Sequence, residues 1–196
     1  MQKPITIGIT GGIGGGKSTF SSRLRECGQL VFDTDFEAKK LQDEDDSVKT
    51  ELQELFGKDI YKNDILDRKK IAQIVFSKKE ILRKLNHIIH PRVKAKFEEW
   101  VQANYTNKYL FMECAILFEG EFDAYVDKIL VVTAPEHVRL ERVMKRDNQT
   151  AQQVHNRMKN QLSEEEKIKR SDWVIETDGL KNTNEKVNGF LKILNL

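Results

Sequence analysis

Short apolar runs alternate with amphipathic stretches along most of the chain. The runs lie at 5–9, 29–33, 109–113, 126–133 and 172–176. Runs rich in β-branched residues are typical of strands that a parallel sheet buries on both faces, whereas the stretches between them carry apolar residues at helical spacing. Strands that alternate with helices, without an internal repeat, predict an α/β fold: a three-layer α/β/α sandwich around a five-stranded parallel sheet.

The region 45–105 breaks this alternation, because it shows helical periodicity and no strand pattern. A helix is predicted over 47–56, and apolar residues at helical spacing continue from 67 onwards. Pro91 disfavours the α conformation of His90, so a helix break is predicted at this pair. A histidine in such a block is usually a core or capping residue, and contact with a ligand is the alternative. The region predicts a helical insertion beside the sheet.

The first apolar run leads directly into a glycine-rich segment. Gly11-x-x-x-x-Gly16-Lys17-Ser18 fits the phosphate-binding P-loop pattern, and five of its first six positions are glycine. Without Cβ atoms in the way, the backbone N–H groups can face a phosphate, and the positive end of a helix predicted over 17–26 faces it too. Lys17 is expected on the β- and γ-phosphates, and the Ser18 hydroxyl on Mg²⁺. The alternative is a flexible glycine-rich turn.

Two predicted strands end in carboxylates. Asp33 and Asp35 follow the second run, and Glu113 ends the third. Ligands bind at the carboxyl ends of parallel strands, so these side chains are expected to face the phosphate loop. If the strand alternation continues, both Asp side chains point the same way. An Asp cap on the next helix is the compatible alternative, and Glu113 is expected to orient Mg²⁺ through water.

The segment from 142 to 170 is rich in Arg, Lys and Gln and poor in large apolar residues. Arg142, Arg146 and Arg157 flank a break at 148–150. That layout is typical of a mobile lid that delivers arginines to a transferring phosphoryl group. A solvated amphipathic helix pair is the alternative.

The composition of the chain argues against several classes of protein. Lys and Arg number 33 against 31 Asp and Glu, a net charge of +2, so no single-sign field indicates nucleic acid or an anionic membrane. No apolar run reaches the ~20 residues of a membrane span, and the N-terminus lacks the apolar region of a signal peptide. Cys27 and Cys114 show no metal-type spacing. We therefore expect a cytoplasmic protein, a monomer or weak homo-oligomer, with no nucleic-acid or membrane partner.

The candidate residues belong to short motifs that extend over nearly the whole chain. In order, these are Thr10-Gly-Gly-Ile-Gly-x-Gly-Lys-Ser18, Asp33-x-Asp35, His90-Pro91, Leu117-Phe-Glu119, Arg142-x-x-x-Arg146-Asp147, Arg157 with Gln161, and Asp172-x-Val-Ile175. Together they resemble the dephospho-coenzyme A kinase family. The resemblance implies the P-loop kinase fold with a helical acceptor-binding domain and a lid. It also implies transfer of the ATP γ-phosphate to the ribose 3′-hydroxyl of dephospho-CoA, the last step of coenzyme A synthesis.

The resemblance further implies a role for each matched residue. ATP is expected on Gly12, Ile13, Gly14, Gly15, Gly16, Lys17, Ser18, Thr19, Arg157, Asp178 and Gly179. Mg²⁺ is expected on Ser18, Asp33 and Glu113, and dephospho-CoA on Asp35, His90, Leu117 and Glu119. The expected catalytic residues are Lys17, Asp33, Asp35, Arg142 and Arg146. Asp35 is assigned as the base and Asp33 as the carboxylate nearer Mg²⁺, with the reverse order as the alternative.

The same resemblance divides the chain into three functional parts. The nucleotide-binding core is expected at 1–44, 106–140 and 171–196, the acceptor domain at 45–105 and the lid at 141–170. Two motifs depart from the family pattern. Relatives usually carry Asp-x-Pro-Leu-Leu-Phe-Glu where this chain has Glu113-Cys-Ala-Ile-Leu-Phe-Glu119, and often Asn-x-Gly where it has Thr177-Asp-Gly179.

Two other functions fit parts of the pattern. A kinase of another small acceptor, such as a nucleoside monophosphate, is the nearest, and His90-Pro91 together with Leu117-Phe-Glu119 argues against it. A GTP-binding switch protein is the alternative from a different class. Guanine recognition needs Asn-Lys-x-Asp after a strand, but Leu110 stands at the Asp position after the Asn-Lys pair at 107–108.

Overall fold

The computed structural model describes residues 3–76, 78–178 and 180–196. The chain forms two compact units, Met1–Asp33 with Asn104–Leu196, and Thr34–Ala103. Within the described ranges, no helix is both long and apolar enough to cross a bilayer.

The first unit contains the five strands that the sequence predicts. Its strands are β1 (Ile5–Thr10), β2 (Val31–Asp33), β5 (Tyr109–Glu113), β6 (Lys128–Thr133) and β7 (Trp173–Glu176). Its helices are α1 (Lys17–Glu26), α6 (Glu136–Asp147), α7 (Ala151–Met158), α8 (Glu164–Lys169) and α9 (Leu180–Ile193). The second unit holds α2 (Thr34–Glu44), α3 (Asp46–Phe56), β3 (Tyr61–Lys62), β4 (Ile65–Leu66), α4 (Arg68–Phe76) and α5 (Lys79–Ala103).

The five strands of the first unit form one parallel sheet in the order β2-β5-β1-β6-β7. The predicted five-stranded parallel α/β fold is therefore confirmed. β1 lies at the centre, so the loop that follows it leaves from the middle of the carboxyl edge. The register places Asp33 of β2 beside Glu113 of β5, and Glu113 beside Ile9 of β1. The two predicted strand-end carboxylates are thus on neighbouring strands.

The main core lies between the sheet and the pair α1 and α9. Its fully or nearly buried members are Ile7, Ile9, Phe20, Leu24, Phe111, Leu130, Val132, Val187, Phe190, Leu191 and Leu194. The ring of Phe190 lies 6.1 Å from that of Phe20 and 5.4 Å, edge-on, from that of Trp173. On β1, Gly8 allows Leu117 and Val126 to approach, since a Cβ there would lie 3.1 Å from each.

The second unit packs α2, α3 and α4 against the long helix α5. Two ion pairs support it, Arg68 with Asp43 at 2.7 Å and Arg92 with Glu51 at 2.5 Å. The predicted domain boundary at residue 45 differs from the boundary of this unit, which begins at 34. α2 belongs to the unit because it packs along α5.

The prediction that 45–105 contains no strand is wrong, because β3 and β4 form a short antiparallel hairpin. Its two turn residues, Asn63 and Asp64, have φ angles of 50° and 62°. Hairpin turns of two residues need positive φ at both positions, and Asn and Asp tolerate that conformation better than most residues. The Asn63-Asp64 pair was therefore the signal in the sequence that could have indicated this hairpin turn.

The predicted helix break at His90-Pro91 is also wrong, because α5 continues through Pro91. Proline removes the N–H donor that would bind the His87 carbonyl oxygen, and its ring crowds the preceding turn. Burial of the apolar face, which includes Val93 and Phe97, stabilises the helix on the far side of the proline.

The predicted alternation through Asp33 and Asp35 does not hold. β2 ends at Asp33 and α2 begins at Thr34, so Asp35 lies in the first turn of a helix. A helix turns its successive side chains by about 100°. The strand geometry that would point both Asp side chains the same way is therefore absent.

The core contacts of Phe190 lead to a stability prediction. Phe190→Ala should lower the free energy of unfolding by about 3–5 kcal/mol, because it removes a ring that is 98% buried between two aromatic neighbours. Ile193→Ala on the same helix, where the side chain is 64% exposed, should cost within about 0.5 kcal/mol. Urea unfolding followed by circular dichroism measures both, and equal losses would contradict the assigned core.

Candidate active site

The glycine-rich segment forms the loop between β1 and α1, which confirms the predicted strand–loop–helix context. Gly15 N–H donates to the Gly12 carbonyl oxygen at 2.9 Å and closes the loop's turn. Gly16 has φ 94°, and a Cβ there would lie 2.8 Å from the Thr177 hydroxyl. A Cβ at Gly11 would overlap the Val132 carbonyl oxygen. Residues with side chains at these two positions would force the loop to change shape.

Arg142 and Thr177 hold the loop through its carbonyl groups. Thr177 Oγ1 donates to the Gly15 carbonyl oxygen at 3.0 Å, and Arg142 Nη1 donates to the Gly14 carbonyl oxygen at 3.2 Å. Arg142 Nη2 also donates to the Thr177 carbonyl oxygen at 3.3 Å. Its place in the sequence predicts that Arg142 belongs with the lid arginines, whereas the structure places its guanidinium against the phosphate loop and the end of β7.

Lys17 forms an ion pair with Glu113 at the carboxyl edge of the sheet. Their Nζ and Oε1 atoms lie 2.9 Å apart, and the side chains are 12% and 5% exposed. Burial raises the pKa of Glu113, but the charge of Lys17, its hydrogen bond and the nearby hydroxyls of Ser18 and Ser21 together lower it below the usual value. The ionised carboxylate therefore stabilises the fold above the ordinary glutamate pKa. That contribution is lost as the pH falls through the lowered value.

Arg25 is a member of this cluster that the sequence analysis missed. Its Nη2 atom lies 3.9 Å from the Asp33 carboxylate and 3.7 Å from that of Glu113. Lys17, Ser21 and Arg25 are spaced four residues apart on α1, so they share one face of the helix. This four-residue spacing was the signal in the sequence for Arg25. It has a meaning only when Glu113 is known to lie beside this face of α1.

The oxygen atoms at this edge suit a magnesium ion. Mg²⁺ prefers hard oxygen donors and is usually held by one or two carboxylates together with substrate phosphates. The Ser18 hydroxyl lies near Glu113 and helps to lower its pKa, and Asp33 is the register neighbour of Glu113. Among the residues with described positions, no group of three or more His, Cys, Asp or Glu could bind a metal by itself. A site completed by phosphate oxygens fits this donor set.

The predicted break in the basic segment is confirmed between α6 and α7. Asn148 ends α6 with φ 50°, and Thr150 begins α7 with a capping box. Across the break, Asp147 pairs with both Arg146, at 2.7 Å, and Arg157, at 2.5 Å. Hydrogen bonds from these two guanidinium groups hold the pKa of Asp147 well below its usual range. The structure thus brings Arg146 and Arg157 together on one carboxylate.

The turn after β5 contains the two motif residues Leu117 and Glu119. Leu117 is fully buried against Gly8, so it is part of the core in this structure. Glu119 Oε1 accepts the Leu162 N–H at 2.8 Å and lies 3.1 Å from Lys167 Nζ. Lys167 was not predicted, because the sequence analysis attributed the charges of its segment to a solvated face or a lid.

The remaining predicted residues lie in three places. Asp35 and His90 belong to the second unit, in the first turn of α2 and within α5 respectively. Asp178 is exposed after β7, and Gly179 lies outside the described residues. Their assigned ligands stay predictions.

Comparisons with known proteins identify the family. A dephospho-CoA kinase family model matches residues 5–183. The dephospho-CoA kinase of Fusobacterium nucleatum is 42% identical over 190 residues, which cover 96% of this chain and 97% of that protein. The dephospho-CoA kinase of Chlorobaculum tepidum is 41% identical over 183 residues, which cover 90% of this chain and 88% of that protein.

Solved structures agree with this match. TT1252 from Thermus thermophilus superimposes with a TM-score of 0.84 at 35% identity, over 98% of this chain and 99% of that one. The dephospho-CoA kinase of Campylobacter jejuni gives a TM-score of 0.72 at 28% identity, over 96% of each chain. A shikimate kinase from Acinetobacter baumannii, at 16% identity and a TM-score of 0.58, shares the fold. The resemblance of the motifs is confirmed, and this chain belongs to the dephospho-CoA kinase family.

Proposed function

We propose that this chain transfers the γ-phosphoryl group of ATP to the ribose 3′-hydroxyl of dephospho-CoA. The observation that carries the proposal is the family match over residues 5–183, which spans the phosphate loop, the second unit and the basic segment. The curated relatives named above match along almost their whole length, so the likeness is not limited to the nucleotide-binding loop.

The donor half of the site is built on the phosphate loop. Residues 14–19 hold the ATP phosphates with backbone N–H groups at the start of α1. Lys17 contributes a positive charge to the β- and γ-phosphates. Because its ammonium lies 2.9 Å from Glu113 in this structure, a phosphate in the loop competes with Glu113 for it. Arg142, which donates to the Gly14 carbonyl oxygen, supports the transfer through the shape of the loop.

Ser18, Asp33 and Glu113 are the residues that would hold Mg²⁺. When bound, the ion neutralises charge on the β- and γ-phosphate oxygens. Glu113 is longer than the Asp usual in the family at this position, and its carboxylate accepts a hydrogen bond from Lys17 Nζ at 2.9 Å. We assign this contact the task of setting the distance between the carboxylate and the loop.

The acceptor half rests on Asp35 and the basic segment. Asp35 accepts the proton of the 3′-hydroxyl as that oxygen attacks the γ-phosphorus in line with the leaving ADP oxygen. Arg146 and Arg157 neutralise charge on the transferring group, and closure of residues 141–170 excludes water from it. Residues 45–105, with His90, bind the acceptor. These roles follow the order of the family motifs along the chain.

The acceptor is tested directly with a substrate panel. Purified protein with ATP should release ADP rapidly with dephospho-CoA and slowly with nucleoside monophosphates or without acceptor, in a coupled assay. A preference for a nucleoside monophosphate would reject the proposed acceptor. Preferential tight binding of GTP over ATP would instead favour a switch protein.

Removal of the Lys17 ammonium should lower kcat by about 10²-fold or more, because the charge that develops on the γ-phosphoryl group loses its main counter-charge in the loop. Lys17→Ala is compared with Lys186→Ala, which replaces an exposed lysine of α9. Steady-state kinetics measures both, and circular dichroism checks that each variant is folded. Near-normal turnover in folded Lys17→Ala would remove the lysine from the mechanism.

The assignment of the two aspartates is tested by Asp35→Asn and Asp33→Asn. Loss of the base should lower kcat by about 10²-fold or more at every Mg²⁺ concentration. Loss of the metal-side carboxylate should mainly raise the Mg²⁺ concentration that gives half-maximal activity. We expect the first behaviour for Asp35→Asn and the second for Asp33→Asn. The opposite pattern would exchange the roles, and near-normal turnover in both variants would exclude either as the base.

A further inference from the structure

The turn before α8 and the first residues of that helix bind the first turn of the phosphate loop. We call residues 161–167 the bridging segment. Gly12 N–H donates to Glu164 Oε2 at 3.0 Å, and Ile13 N–H donates to Gln161 Oε1 at 3.0 Å. Gly12 has no Cβ, which would clash with Glu164 and Arg139 at this position. Two N–H groups that the sequence analysis assigned to ATP therefore donate to protein side chains in this structure.

Glu164 is fixed from a second side by Arg139. Arg139 is 9% exposed, its Nε donates to the Ala134 carbonyl oxygen at 3.0 Å, and its Nη1 lies 3.5 Å from Glu164 Oε2. One carboxylate oxygen thus takes a backbone N–H of the loop and a buried guanidinium of α6. Charge-assisted contacts of this kind are stronger and more directional than neutral ones.

Two other residues of the bridging segment bind the turn after β5. Glu119 Oε1 accepts the Leu162 N–H at 2.8 Å and lies 3.1 Å from Lys167 Nζ. Lys167 is fully buried. The ammonium is within ion-pair distance of Glu119 but is not aligned for a hydrogen bond, so their attraction is electrostatic. Burial of a charge costs free energy unless an opposite charge lies nearby. The buried ammonium of Lys167 therefore favours a position of α8 that keeps it close to Glu119.

A loop made largely of glycine needs such external contacts. Glycine populates more backbone conformations than any other residue, so the loop cannot set the direction of its N–H groups by itself. Arg142 and Thr177 hold its carbonyl groups. The bridging segment is what holds the N–H groups of its first turn. Transfer rates depend steeply on placement, and a displacement of about 1 Å can cost ~10²-fold.

We propose that Glu164 and Lys167 are positioning residues for phosphoryl transfer. Through the bridging segment they set the first turn of the phosphate loop relative to the turn that contains Glu119. The inference rests on the proposed kinase function, and it assigns Glu119 a structural task in the donor half of the site. Loss of either residue therefore weakens ATP binding and lowers kcat, and leaves the KM for dephospho-CoA unchanged.

The test compares Glu164→Ala and Lys167→Met with matched controls on the same helix, Glu165→Ala and Lys169→Met, whose side chains are exposed. ATP affinity is measured by calorimetry without acceptor, and kcat and both KM values by steady-state kinetics. The two test variants should weaken ATP binding about 10-fold and lower kcat about 10–100-fold, as expected for a misplaced loop. The controls should stay within about twofold of the wild type.

Two further variants distinguish positioning from a general loss of structure. Glu164→Gln keeps an oxygen acceptor for the Gly12 N–H and should recover most of the ATP affinity lost in Glu164→Ala. Gln161→Ala removes only the acceptor of the Ile13 N–H, from a partly exposed side chain, and should weaken ATP binding without lowering the melting temperature. It therefore tests the proposal even if Glu164→Ala or Lys167→Met fails to fold.

Unchanged ATP affinity in Gln161→Ala and in folded Glu164→Ala would overturn the proposal. So would a Lys167→Met variant whose defect is confined to the KM for dephospho-CoA, because Glu119 and Lys167 would then serve the acceptor. Calorimetry without acceptor keeps this test separate from the kinase assignment. A wild-type protein that binds ATP but does not phosphorylate dephospho-CoA would reject the proposed function alone.

Discussion

The phosphate loop has five glycines between β1 and α1, and this constraint shapes the structure around it. A loop without side chains can surround a phosphate closely, but it has nothing of its own to fix its conformation. The surrounding chain supplies what is missing. Arg142 and Thr177 bind its carbonyl groups, Gln161 and Glu164 bind its first N–H groups, and central β1 anchors its start.

A second constraint is the balance of charge at the carboxyl edge of the sheet. Neighbouring strands place Asp33 and Glu113 side by side, and α1 presents Lys17 and Arg25 to them. Two carboxylates this close repel each other unless cations lie between them. In the proposed function, the same carboxylates would hold Mg²⁺ and the same ammonium would bind phosphate. Stability without ligands and readiness for catalysis therefore depend on the same few side chains.

Predictions from sequence patterns were wrong where tertiary packing outweighed a local preference or where the local pattern was too short to detect. Pro91 disfavours a helix, yet burial of the apolar face of α5 outweighs this local preference. The hairpin at Asn63-Asp64 is too short to produce an alternating pattern. The burial of Lys167 could not be predicted from composition, because a lysine in a charged segment is usually solvated. The nearby carboxylate of Glu119 explains why this lysine is buried.

The sequence alone determined the phosphate loop, the parallel sheet and the family, because each has a local signal in the sequence. The glycines that leave room for phosphate indicate the loop, the β-branched runs indicate the sheet, and the motifs in a fixed order indicate the family. Only the tertiary structure showed that Glu113 pairs with Lys17, that Arg25 joins them, and that residues 161–167 bind the loop. These contacts join residues 88 to 152 positions apart. Pairings at such separations depend on how strands and helices pack, which no local pattern in one sequence encodes.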